Sequence, residues 1–220
     1  MQLTLLDNQL RFPDPRKADA EGLVAVGGEL SLARLLLAYS SGIFPWTTGP
    51  VTWWSPDPRG IFELDAFHVS RSLARQLRSD RFEVTVNKCF KEVMQACAEP
   101  GPTRKGTWIS AEFIAAYTRM HEEGHAHSVE VWSEGKLAGG VYGVAIGGFF
   151  AGESMFHRVS DGSKIALFHL VQRLRERQFE LFDIQMLTPI TEQLGGVSIP
   201  REQYLKRLAQ AVKRSCRFNP

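Results

Sequence analysis

The run from Ser128 to Phe156 restricts this chain more than any other stretch. Three largely apolar segments, about Ser128–Trp132, Lys136–Ile146 and Phe149–Phe156, are separated only by the turns Glu134-Gly135 and Gly147-Gly148. Connections that short close antiparallel hairpins and nothing else. The segment therefore predicts a β-meander, and a meander is stable only when a face of it is buried against other elements.

The flanking sequence supplies those elements. Ser110 can cap a helix whose apolar positions include Phe113, Ile114, Tyr117 and Met120, with Gly124 ending it. Ser163–Gln178 places Ile165, Phe168, Val171 and Leu174 on one helical stripe, and Pro200–Arg214 reads as a last helix. Upstream, Phe82, Val84 and Val86 alternate as a strand, and Asn87 is the expected cap of a helix with Phe90, Val93, Met94 and Cys97 turned inward. A turn-rich loop, Glu99 to Thr107, follows that helix, and Phe179–Gln185 is a further strand. This order predicts an α+β fold with a mixed sheet flanked by helices.

Residues 1–60 are of another kind, rich in Gly, Pro and Trp. One helix is legible, Leu32 to Ser41 after the cap Ser31 and before Gly42, and the rest is expected to be loops of a small cap. The boundary is placed near Gly60, giving a small N-terminal domain, 1–60, and a larger one, 61–220.

Composition matters chiefly by exclusion. Three scattered cysteines, Cys89, Cys97 and Cys216, make no disulfide framework, and no segment nears the roughly 18 to 20 apolar residues that cross a bilayer. Met1 to Pro13 has no cationic stretch followed by an apolar run, so a cytoplasmic, non-membrane protein is expected. The net charge of +2 hides a division: residues 200–220 hold six basic side chains against one acidic, while residues 179–199 hold three acidic and none basic. A polyanion suits the basic flanks and a cation the acidic centre. On a helix capped by Ser70, Arg71, Arg75 and Arg78 recur on one face opposite Leu73 and Leu77, as a solvated face or a phosphate contact.

Several chemistries lose their usual supports. There is no phosphate-binding Gly-x-x-x-x-Gly-Lys loop, no dinucleotide Gly-x-Gly-x-x-Gly and no Gly-x-Ser-x-Gly elbow. His121, His125 and His127 lack a second ligand pair at zinc-like spacing, so no metal is expected. What remains is polar groups set into apolar strands: Glu153 within Gly152-Glu153-Ser154-Met155-Phe156, and Asp183 and Gln185 within Phe182-Asp183-Ile184-Gln185. Strand periodicity puts Asp183 and Gln185 on one face, about 6.6 Å apart, where the carboxylate is expected to hold the Gln185 amide through its NH₂.

Seven stretches then resemble one family. They are Gly-Leu-Val-Ala-Val-Gly-Gly-Glu-Leu from Gly22, Gly-Ile-Phe-Pro-Trp from Gly42, Trp-Trp-Ser-Pro-Asp-Pro-Arg from Trp53 and His-Val-Ser-Arg-Ser from His68. Gly-Thr-Trp-Ile from Gly106, Gly-His-Ala-His-Ser-Val-Glu-Val-Trp from Gly124 and Gly-Glu-Ser-Met-Phe from Gly152 complete the set. In that order they are similar to the bacterial leucyl/phenylalanyl-tRNA–protein transferases, over nearly the whole chain. The resemblance implies a small N-terminal domain over a C-terminal domain with an N-acetyltransferase-like fold. It implies transfer of Leu or Phe from aminoacyl-tRNA to the α-amine of proteins that begin with Arg or Lys, which marks them for degradation. It also implies roles: Trp46, Trp108 and Tyr117 at the 3′ adenosine and aminoacyl ester, and Glu153, Asp183 and Gln185 at the reacting centre. Val141, Phe150, Met155, Leu167, Leu170 and Leu174 are expected to line the side-chain pocket, and Arg71, Arg75 and Arg78 to meet tRNA phosphates. No cofactor is implied, and the chain is expected to act as a monomer. Around Thr188-Pro189-Ile190 and Glu192-Gln193 the chain departs from the family pattern, with bulkier or charged residues where His and small ones are expected.

Two other functions compete. An acetyl-coenzyme A-dependent N-acyltransferase needs a glycine-rich diphosphate loop, but Arg158-Val159-Ser160-Asp161-Gly162-Ser163 puts an aspartate at its first glycine. A non-enzymatic RNA-binding protein would use the basic stretches and leave Glu153, Asp183 and Gln185 without a task.

Overall fold

The computed structural model describes residues 4–100 and 107–219, so most of the expected Glu99–Thr107 loop lies outside the described residues. The residues before Arg59 form β1 (Leu5–Leu6), β2 (Leu23–Gly27), α1 (Leu32–Ser40), β3 (Phe44–Thr48) and β4 (Val51–Trp54). These strands make a four-stranded sheet in the order β1-β2-β4-β3, where loops had been expected. Two causes hide it from sequence patterning. The strands are two to five residues long, and register shifts between Leu23 and Ala25 and between Pro45 and Thr47 break their period of two. The helix is as read: Ser31 Oγ accepts from Arg34 N at 3.3 Å, and Gly42 follows at φ +79°.

The larger part contains β5 (Arg59–Phe62), α2 (Arg71–Leu77), β6 (Glu83–Val86), α3 (Phe90–Ala98), α4 (Ala111–Glu122), β7 (Ala126–Ser133), β8 (Lys136–Ile146) and β9 (Phe149–His157). It continues with α5 (Gly162–Glu176), β10 (Leu181–Gln185), α6 (Pro189–Gln193), β11 (Gly196–Ile199) and α7 (Arg201–Ala211). The predicted meander is β7-β8-β9, at the centre of a seven-stranded sheet ordered β11-β5-β10-β9-β8-β7-β6. Every pairing in it is antiparallel except that of β9 with β10. The fold is thus α+β with a mixed sheet. One expected cap is replaced: Asn87 lies at φ +58° and bonds Ser128 N and Asn219 instead, while Cys89 stands at the start of α3.

Alternation along β8 explains the two layers of core. Tyr142 and Val144 point into a cluster with Phe113 and Tyr117 of α4, Leu35 and Tyr39 of α1 and Leu205 of α7. Val141 and Ala145 point into the other, with Leu167, Leu170 and Leu174 of α5 and Leu73 of α2. Residues of the small sheet, Val24, Phe44 and Trp53, belong to the first cluster.

The sheet is split where β9 and β10 part. Their pairing runs only from Leu181–Phe149 to Asp183–Ala151, although β9 continues to His157. Both strands bulge at this point. Gly143 pairs with Gly152 and Tyr142 with Ser154, leaving Glu153 as the extra residue. Asp183 pairs with Ile61 and Gln185 with Gly60, leaving Ile184 extra. Bulges bend strands and re-aim side chains, and here they turn Glu153 and Gln185 toward one another across the split.

Candidate active site

Arg59 anchors the site from below. It is 1% exposed and grips Asp183, 0% exposed, through Nε to Oδ1 at 2.9 Å and through a terminal nitrogen to Oδ2 at 2.7 Å. Its other terminal nitrogen donates to the Gly42 carbonyl at 3.1 Å, and its plane lies over the rings of Tyr204 and Phe44 at 4.4 and 4.9 Å. Burial works against the guanidinium charge, but Asp183 outweighs it and holds the Arg59 pKa above its ordinary value. Tyr204 OH adds a hydrogen bond to Asp183 Oδ2 at 2.9 Å. A buried ion pair survives only when its remaining hydrogen-bonding capacity is largely filled, and here Asp183, Tyr204 and the Gly42 carbonyl take four of the five guanidinium N–H groups.

Asp183 also accepts from the backbone N of Gln185 at 2.9 Å. The expected contact to the Gln185 side-chain amide is absent, because the bulge and a left-handed φ of +56° at Gln185 rotate that side chain off the strand period. Such a backbone conformation is strained for a non-glycine residue, and the carboxylate on its N–H is what holds it. Gln185 Nε2 instead donates to Glu153 Oε1 at 3.1 Å. Since the amide is planar, its Oε1 faces away from Glu153.

Glu153 receives a second donor, Tyr117 OH to Oε2 at 3.4 Å, and Tyr117 OH is hydrogen-bonded in turn to Tyr39 OH. Burial pushes the Glu153 carboxyl up to about 8; bonds from Tyr39 and Tyr117 and the Arg59 charge oppose the rise, and Asp183 adds to it. Burial likewise lifts both tyrosines well above their usual value, so they stay protonated donors.

Two cavities meet at this pair. One, about 220 Å³, is lined by Phe62, Val141, Met155, Leu167, Phe182 and Ile184 together with Glu153 and Gln185. The other, about 240 Å³, is lined by Phe44, Trp46, Trp108 and Met186, and again by Glu153 and Gln185. Trp46 is braced edge-to-face on Trp54, and Trp108 on Phe113, with centroids 5.6 and 5.2 Å apart.

Of the expected residues, Glu153, Gln185, Trp46, Trp108, Val141, Met155 and Leu167 line the two cavities, whereas Tyr117, expected at the adenosine and ester, and Asp183 are buried behind Glu153 and Gln185 and reach neither lining. Phe150, Leu170 and Leu174 do not reach the cavity lining and are buried in the core, Phe150 among Phe179, Phe182 and Phe218. The parity change at the Glu153 bulge turns Phe150 and Met155 to the same side, but only Met155 lies beyond the split. Arg71, Arg75 and Arg78 stand exposed on or next to α2, whose Leu73 is buried. Sequence reasoning missed Arg59, Tyr39 and Tyr204. Only Arg59 left a trace, a lone charge entering the run Gly60-Ile61-Phe62.

Among the described residues no group of three or more His, Cys, Asp or Glu is placed to hold a metal ion. His121 is committed elsewhere, with Nδ1 2.8 Å from the Ala126 carbonyl and its ring stacked on Phe90. No helix of the described residues is long and apolar enough to cross a membrane.

The site can be set beside known proteins. The family described as leucyl/phenylalanyl-tRNA protein transferase matches residues 61–209, and the N-terminal domain of the same family matches residues 28–57. A leucyl/phenylalanyl-tRNA–protein transferase of Pseudoalteromonas atlantica is 48% identical over 97% of this chain and 93% of its own length. One from Tolumonas auensis is 47% identical over the same shares, and one from Oleidesulfovibrio alaskensis 47% identical over 97% and 89%. Among solved structures, a GCN5-related N-acetyltransferase from Kribbella flavida aligns at TM-score 0.42 and 11% identity, over 74% of this chain and 59% of that one. The matches at the level of sequence run across both parts of the molecule and through the residues around the split, and the chain belongs to the leucyl/phenylalanyl-tRNA–protein transferase family.

Proposed function

We propose that this enzyme transfers Leu or Phe from aminoacyl-tRNA to the α-amine of proteins with N-terminal Arg or Lys, in the cytoplasm and as a monomer, and so marks them for degradation. The observation that carries the reading is the meeting of an apolar cavity and a tryptophan-lined one at Glu153 and Gln185. An aminoacyl ester has the same two-part shape. Its side chain fits beside Val141, Met155 and Leu167, its terminal adenosine fits beside Trp46 and Trp108, and the ester carbonyl then falls at the junction.

Aminolysis of an ester runs downhill, so the protein's task is mainly placement, which supplies about 7 to 11 kcal/mol. The attacking α-amine has a pKa of about 7.7 to 8, so on the order of a tenth is neutral at pH 7. Gln185 Oε1 accepts an N–H of that amine and aims its lone pair at the ester carbon. The N–C bond forms, the C–O bond to the ribose breaks, and the proton shed by the amine ends on the departing 3′ oxygen. Glu153 meets the α-ammonium of the aminoacyl group, whose charge favours ionisation of a carboxyl otherwise held near 8. Arg59 and Tyr204 position Gln185 through Asp183. Arg71, Arg75 and Arg78 meet tRNA phosphates. In this reading residues 1–60 and 61–220 are the two domains, and Tyr39 and Trp46 of the first complete the site of the second.

A coenzyme A reading fares worse. At the start of α5, Asp161 carries its carboxylate where a diphosphate would bind and pairs with Lys164 at 3.0 Å, while Arg158 is taken by Glu99 at 2.8 and 2.9 Å. Labelled Leu-tRNA and acyl-coenzyme A, offered in parallel with a Lys-initiated peptide, decide the matter. Label must pass to the peptide from tRNA, and passage from the thioester alone would overturn the proposal.

A further inference from the structure

The end of the sheet remote from Glu153 bears a second concavity that the proposed transfer does not use. An open cleft of about 690 Å³ lies between the end of α5 and the chain beyond α7, lined by Arg177, Lys213, Arg214 and Arg217 against the single acid Glu176. Arg214 is engaged by Glu180 at 3.1 Å. Arg177, Lys213 and Arg217 enter no salt bridge among the described residues. Helix C-termini favour cations in their last turn, which accounts for Arg173 and Arg175 of α5, but Lys213, Arg214 and Arg217 lie past the end of α7.

The backbone that carries these charges is fastened down. Phe218 is 3% exposed, packed on Phe150 and Phe179. Arg173 donates to its carbonyl at 2.9 Å and lies over its ring, and Asn219 accepts from Asn87 at 2.7 Å. Lys213, Arg214 and Arg217 therefore stand on an anchored stretch of backbone, beside Arg177 at the end of α5. On α5 also packs α2, with Arg71 and Arg75, and Arg175 of α5 pairs with Asp65 just before α2 at 3.1 Å.

We infer that this cleft is a second RNA-contact surface, which takes the sugar-phosphate backbone of the aminoacyl-tRNA away from its 3′ end. The inference rests on the transfer reading above. Unpaired cations spaced along an open, anchored cleft match the repeating charge of a phosphodiester chain, and each contact releases counterions. The cleft is too far off to act on the ester directly. A side chain at Gly148 would touch Arg214, and Glu153 lies five residues further along β9, about 17 Å at a strand rise of about 3.3 Å. That exceeds the screening length of about 8 to 10 Å at physiological salt, so these charges reach the substrate only where RNA touches them.

The test is the variant Arg177→Gln/Lys213→Gln/Arg217→Gln, assayed beside the wild type with Leu-tRNA and with 3′-O-leucyl-adenosine as donors. Circular dichroism checks its fold. With Leu-tRNA, kcat/KM falls about tenfold or more, and the slope of log affinity against log salt flattens by about 2 to 3. With leucyl-adenosine, transfer stays within twofold of wild type. An unchanged slope with tRNA, or equal losses on both donors, overturns the inference. A wild-type protein that transfers from neither donor would instead overturn the transfer reading on which it rests.

Discussion

Asp183→Asn removes one charge and reverses the hydrogen-bonding sense of one atom at the point where four contacts converge. Asp183 accepts two bonds from Arg59, one from Tyr204 and one from the Gln185 backbone. An Asn oxygen can keep the Gln185 N–H and Arg59 Nε, but its NH₂ then faces the terminal nitrogen of Arg59, which has no acceptor to offer. Arg59, 1% exposed, is left as an uncompensated buried cation. Losing one partner of such a pair costs about 3 to 5 kcal/mol, a large share of the roughly 5 to 15 kcal/mol that stabilises a typical domain. Transfer falls further, by about 10² to 10³-fold, because a neutral amide oxygen holds the strained Gln185 N–H less tightly than the carboxylate does. The two effects separate in the double variant Arg59→Met/Asp183→Asn. With the stranded cation gone, stability recovers by about 2 kcal/mol, while Gln185 still lacks a carboxylate on its backbone N–H. Urea unfolding followed by tryptophan fluorescence reads the first quantity, and single-turnover transfer from Leu-tRNA reads the second. A single variant that loses under 1 kcal/mol, or a double variant that regains transfer, would refute the positioning role assigned to this pair.

Glu153 sets a pH dependence. Its folded pKa, about 8, lies above the unfolded value near 4.5, so its contribution to stability is whole below about pH 4.5 and is lost as pH rises toward 8. The slope is at most about 1.4 kcal/mol per pH unit, trimmed by solvent in the adjoining cavities. Glu153→Gln should flatten this slope in denaturation curves taken between pH 5 and 8, and an unchanged slope would contradict it. Gln185→Glu places two carboxyls 3.1 Å apart to share one proton, so its transfer should survive better at pH 6 than at pH 8 and exceed that of Gln185→Ala at the lower pH. Gln185→Gly should relieve left-handed strain, raising stability by about 1 kcal/mol while abolishing aimed attack; a fall in melting temperature would show that the backbone is not strained. Removing charge at Arg71, Arg75 and Arg78 together should weaken tRNA binding and reduce its salt slope by about 2 to 3, and no change would return α2 to a solvated face.

Much of the scaffold was legible because its signals are local. Ser31, Ser70 and Ser110 cap α1, α2 and α4 as read, and two glycine turns fix the meander. The small sheet was not, since strands of a few residues interrupted by register shifts leave no period to detect. Asn87 misled for a related reason: a residue type that favours caps also tolerates the left-handed region, and the latter prevailed. At the site, the identities of Glu153, Asp183 and Gln185 could be picked out as polar groups in apolar strands, but their wiring could not. Two bulges changed which way each side chain points. Arg59 left only a faint trace, because a guanidinium reads as surface until a buried carboxylate is known to receive it.

Tyr39 sits on the first helix of the chain, yet it closes the hydrogen-bond line that ends on Glu153. The two segments that the family descriptions match separately therefore cannot be exchanged as independent modules. A chimera that paired residues 59–220 with an unrelated leading segment would keep the strands of the larger sheet, but the carboxyl would lose an outer donor and the Arg59 guanidinium its Gly42 carbonyl. A substitution in the opening forty residues, at Tyr39, is accordingly felt by a carboxyl on a strand more than a hundred positions downstream.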